Sequence, residues 1–95
     1  MATATFNGTV IASSDDIEMV EGNAYFPISS LDQSVVSSSD LQTRCPWKGT
    51  ASYWNLEVDG ERADNAAWYY PEVLPGAEAV KDRVAFYPAV KVAID

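Results

Sequence analysis

The chain has 95 residues, with 14 Asp and Glu against 6 Lys and Arg, one cysteine and no histidine. Its formal net charge of −8 repels nucleic acid and anionic membrane surfaces at long range, so neither is expected as a partner. Without histidine there is no Ser-His-Asp or Cys-His nucleophilic centre and no usual zinc ligand set, and no cofactor or metal is expected.

A hydrophobic share of 47% suits one globular domain over residues 1–95, and 12% aromatics give a short chain large groups to bury. The lone Cys45 excludes an intramolecular disulfide. Met1–Gly8 lacks the basic and apolar runs of a signal peptide, and no window is apolar for long enough to span a bilayer, so a cytoplasmic location is expected.

In chain order, Thr3–Phe6 and Thr9–Ala12 flank Asn7-Gly8, a dipeptide that supplies the positive φ angles of a tight hairpin turn. After the polar break Ser13–Asp16, Ile17–Val20 reads as a strand closed by Glu21-Gly22-Asn23. Ala24–Pro27 reads as another, ended by a proline that cannot donate to a ladder. Ile28–Asp32 suits a single helical turn, and the serine-rich stretch Ser34–Ser39 gives no clear signal. Thr43–Thr50, holding Pro46 and Gly49, is expected to be a loop.

Ala51–Val58 alternates as a strand, with Trp54, Leu56 and Val58 on one face and Tyr53, Asn55 and Glu57 on the other. Asp59-Gly60 predicts a second hairpin, leading into Glu61–Ala63. Ala66–Tyr70 is apolar and aromatic, and its alternation sends Trp68 and Tyr70 to one face and Tyr69 to the other, one of them core. Ala77–Asp82 suits one or two helical turns, and Val84–Tyr87 and Val90–Ile94 close the chain as strands. Many short strands with turn signals between them predict a mostly β, antiparallel sandwich or partly open barrel with one or two short helical turns.

Unusual residues concentrate in Thr43–Trp54, where Arg44 and Lys48 flank Cys45. A neighbouring cation favours the thiolate, which makes Cys45 a candidate nucleophile, and Lys48 is the other catalytic candidate. A buried, inert Cys45 is the alternative. Arg44 and Lys48 also have the chemistry to clamp a phosphate or carboxylate. Tyr25, Tyr53, Trp68, Tyr70 and Tyr87 would supply apolar walls and hydroxyl tips, and Glu72 would orient a cation.

Tyr25-Phe26-Pro27, Cys45-Pro46-Trp47-Lys48-Gly49-Thr50-Ala51-Ser52-Tyr53, Ala67-Trp68-Tyr69-Tyr70-Pro71 and Val84-Ala85-Phe86-Tyr87 follow one another across nearly the whole chain. In this order and spacing the chain resembles a widespread bacterial family catalogued as domain of unknown function 427, sometimes labelled nucleotidyltransferase-like. The resemblance implies a β-tent, two sheets pinched together with short helical turns between. Nucleotidyl transfer usually needs paired carboxylates for two metal ions, whereas the Asp-x-Glu at Asp59–Glu61 falls in a hairpin turn.

The expectation is a small soluble binding domain, with a pocket near the Cys45–Tyr53 loop for a small anionic or aromatic ligand. The alternatives are an enzyme using Cys45 or Lys48, and an interaction domain or homodimer anchored by exposed aromatics.

Overall fold

The computed structural model describes residues 1–94. Nine strands are found there: β1 (Ala2–Phe6), β2 (Thr9–Ser14), β3 (Glu18–Val20), β4 (Asn23–Pro27), β5 (Val36–Cys45), β6 (Gly49–Val58), β7 (Glu61–Tyr69), β8 (Arg83–Phe86) and β9 (Lys91–Ile94). They form a three-stranded sheet, β2-β1-β9, and a six-stranded sheet, β3-β4-β8-β7-β6-β5, with antiparallel pairing throughout. Helical structure is confined to 3-10 turns at Ile28–Ser30, Gln33–Val35 and Glu78–Val80. Among the described residues no helix is long and apolar enough to cross a membrane.

Local chemistry explains the hairpins. Asn7-Gly8, Glu21-Gly22 and Asp59-Gly60 all place two consecutive residues at positive φ, between 49° and 80°. That geometry matches the right-handed twist of the strands it joins.

The segment expected to be a loop is instead the end of the longest hairpin. β5 and β6 pair as far as Arg44↔Thr50 and Cys45↔Gly49, leaving only Pro46, Trp47 and Lys48 to turn. Pro46 sits in the turn, where its missing N–H costs no ladder bond. Likewise Glu61–Ala63 and Ala66–Tyr70 join into the single strand β7, because an irregularity opposite Asn55 absorbs the extra residues. Asn55 secures it by donating to the Ser38 carbonyl at 3.2 Å and accepting from the Asn65 N–H at 2.9 Å.

The six-stranded sheet buries both faces. One face packs Phe26, Leu56, Val58, Val84 and Phe86 against Ala2, Ala4, Phe6 and Ile11 of the small sheet. The other packs Tyr25, Ala51, Tyr53, Trp68, Tyr70 and Ala85 beneath Ala77 and Val80. Neighbours therefore part company: Tyr25 and Phe26, both fully buried, point to opposite cores, as strand alternation requires. Burying each such ring contributes about 2 kcal/mol. Trp68 and Tyr70 share the second core, and Tyr69 stacks on Trp54 across the sheet at 4.0 Å.

Candidate functional site

The turn 46–48 folds Lys48 back over the aromatic face. Lys48 is 6% exposed, its ammonium paired with the Glu21 carboxylate from the β3–β4 turn. It lies 5.1 Å from the Trp47 ring centroid and 5.6 Å from that of Tyr70. Burial opposes the charge on Lys48, but the hydrogen bond to Glu21, with smaller contributions from Tyr25, Tyr70 and Cys45, outweighs it and raises the pKa. The raised pKa favours the charged ammonium that the Glu21 pair holds.

The partners respond in kind. The hydrogen bond from Lys48 holds the Glu21 carboxyl below its ordinary range, and the Trp47 indole N–H adds to this. Burial pushes Tyr70 up to about 12, against a partial pull from the nearby ammonium. Cys45 is half-buried and packs against the same core.

Beneath this cluster, the Trp68 indole N–H donates to the Tyr25 hydroxyl at 3.1 Å, with the rings edge to face at 6.3 Å. Tyr53 and the Thr43 hydroxyl share a hydrogen bond of 2.8 Å. Tyr87, half-exposed, packs on Trp68 at 4.6 Å and parallel to Tyr53 at 6.3 Å. Its hydrogen bond with Tyr53 raises its pKa, with burial adding to the effect.

Arg44 and Glu72 lie elsewhere. Successive residues of a strand face opposite ways, so Cys45 turns to the aromatic core and Arg44 away from it. Arg44 lines a cleft of about 380 Å³ with Gln42, Gly49, Thr50 and Ser52 on the hairpin side and Pro71–Leu74 opposite. The cleft is closed at one end by a tight crossing. Gly49 has φ +122°, and a Cβ there would lie 2.9 Å from the Glu72 carbonyl oxygen. The Leu74 N–H donates to the Lys48 carbonyl at 3.1 Å. Among the described residues Arg44 makes no ion pair.

The profile of the family described as Domain of unknown function (DUF427) matches residues 1–95. The chain belongs to this family. No curated protein matches the chain. In this DUF427 domain the quoted motif residues Tyr25, Lys48, Tyr53, Trp68, Tyr70 and Tyr87 meet on one face of the large sheet, whereas Arg44 and Glu72 meet on the other side of the hairpin.

Sequence reasoning missed Glu21, Gln42, Thr50 and Ser52. Gln42, Thr50 and Ser52 were within reach of it. They alternate with Thr43, Ala51 and Tyr53, and would have stood out had 43–50 been read as paired strands. Glu21 carries no local signal, because its partner is 27 residues away. Among the described residues no three carboxylate or thiol groups cluster as metal ligands.

Proposed function

We propose that this DUF427 domain is a binding module that takes a small anionic ligand in the cleft beside the β5–β6 hairpin. The observation that carries this reading is Arg44, a guanidinium without an ion pair among the described residues, opening into a concave cleft of a chain with net charge −8. In so acidic a protein, carboxylates are abundant competitors for any cation, and Arg44 is left to engage a ligand. Guanidinium recognises carboxylate or phosphate through two parallel hydrogen bonds. The Gln42, Thr50 and Ser52 side chains lining the same cleft supply further donors, and Glu72 opposite gives a ligand's own donor an acceptor. A volume of about 380 Å³ falls in the range of small-molecule sites.

The cytoplasmic compartment goes with this reading through the single unpaired thiol. A thermal-shift screen of phosphate, sulfate and small carboxylates tests it. At least one anion is expected to raise the melting temperature of the wild type saturably and to leave Arg44→Ala unmoved. Equal stabilisation of both proteins overturns the reading.

Self-association is a second reading, favoured by one feature. A second groove of about 560 Å³ exposes Met19, Tyr87, Val92 and Ile94, beside the β9 edge that β1 does not pair. Sedimentation equilibrium showing a monomer at every accessible concentration removes it.

A further inference from the structure

The environment of Lys48 is that of a receptor with its occupant in place. The ammonium is almost wholly buried, enclosed by the faces of Trp47 and Tyr70, and Glu21 is the carboxylate that neutralises it. Lys48 is fixed: its turn is pinned by the Leu74 N–H and by the Cys45↔Gly49 pair. Glu21 is not comparably fixed. It is half-exposed, sits at φ 54° in a two-residue turn, and belongs to a hairpin whose outer strand β3 has three residues and pairs only with β4.

We propose that Lys48 and Trp47 form a carboxylate-binding site, filled here by the protein's own Glu21, which a free carboxylate ligand can displace. The site lies on the aromatic face and is distinct from the Arg44 cleft. Its ligand class is defined by its present occupant: a carboxylate on a short aliphatic stem, reaching an ammonium that lies over the Trp47 and Tyr70 rings. Displacement would also free the Glu21-Gly22 turn, and Gly22, Asn23 and Ala24 line the apolar groove behind it. Exchange at Lys48 would therefore change the mouth of that groove.

A tethered carboxylate acts at an effective concentration on the order of millimolar, so a free one must compete with it. Removing the tether should expose the intrinsic affinity. Glu21→Gly does so cleanly, because glycine accepts the positive φ at no steric cost.

The experiment is a melting-temperature titration with sodium acetate against sodium chloride at equal ionic strength. Glu21→Gly is expected to gain stability saturably from acetate alone, with an apparent dissociation constant at least about tenfold below that of the wild type. The gain should vanish when Lys48→Met is added and persist when Arg44→Ala is added. A Glu21→Gly protein that answers acetate and chloride alike overturns the proposal, as does a response lost with Arg44→Ala. Should Glu21→Gly not fold, the wild type carries the test through its Trp47 indole N–H resonance, assigned with Trp47→Phe. A shift with acetate and not chloride supports the site, and a resonance indifferent to acetate overturns it.

Discussion

Arg44 and Lys48, four residues apart, open onto opposite sides of the β5–β6 hairpin: one lines a cleft, the other is sealed against tyrosine and tryptophan rings. The division follows from pairing. Once Cys45 is held opposite Gly49, alternation sends Arg44 outward, and the turn 46–48 carries Lys48 over the edge of the sheet to the aromatic face. The two cations therefore stand in separate environments, and the effects of their substitutions should be separable.

The Lys48–Glu21 pair should be asymmetric. Glu21 is half-exposed and rehydrates when its partner is lost, whereas Lys48 has nowhere to turn. Glu21→Gln should thus lower the melting temperature more than Lys48→Met, which replaces the buried charge with an apolar chain. Equal losses would mean that the ammonium reaches water.

The same pair sets a pH dependence. Glu21 has a folded pKa below its unfolded value near 4.5, so its stabilisation is present above that value and lost as pH falls through the folded pKa. Lys48 has a folded pKa above its unfolded value of 10.5, so its stabilisation is present below 10.5 and lost as pH rises through the folded pKa. Urea denaturation below pH 4.5 should show a shallower acid loss in Glu21→Gln than in the wild type.

Tyr70 contributes at alkaline pH. Its folded pKa of about 12 against 10.0 unfolded gives stabilisation that is complete below pH 10 and lost between about 10 and 12. Absorbance titration at tyrosinate wavelengths should show a late phase that Tyr70→Phe removes. Alkaline unfolding should then be less steep in that variant.

Gly49 is the hinge between the two sites. Its φ of +122° is closed to side chains, and a Cβ would meet backbone, the Glu72 carbonyl, at 2.9 Å. Gly49→Ala should cost about 1–3 kcal/mol in chemical denaturation. It should also displace Pro71–Leu74 and weaken anion binding at Arg44. A variant of wild-type stability would contradict the crossing described.

Beneath the aromatic face, Tyr25→Phe removes the acceptor of the buried Trp68 N–H. Leaving that donor unpaired should cost about 1–3 kcal/mol. Denaturation midpoints of the variant and the wild type decide it.

Much of this fold was legible from the sequence. Asn7-Gly8 and Asp59-Gly60 announced their hairpins because a two-residue turn with positive φ needs those residues, and alternation along Ala51–Val58 sorted Trp54, Leu56 and Val58 from Tyr53 and Asn55. Val36–Cys45 was not legible. It is an edge strand, largely exposed, and its serines lack the apolar alternation that marks a half-buried strand. Pro46 and Gly49 then read as a broad loop, although only Pro46–Lys48 turn and Gly49 already pairs with Cys45. That error merged Arg44 with Lys48 into one site. Glu21 escaped notice because ion pairing across 27 residues leaves no trace in local pattern.

The measurement that tests the central claim most directly is a two-dimensional amide NMR titration of the wild type and Arg44→Ala with sodium phosphate at constant ionic strength. The account predicts saturable shifts confined to Gly49, Thr50, Ser52 and the segment Glu72–Leu74 in the wild type, and none in Arg44→Ala. Shifts scattered over the surface, or unchanged in the variant, would contradict a binding cleft built on Arg44.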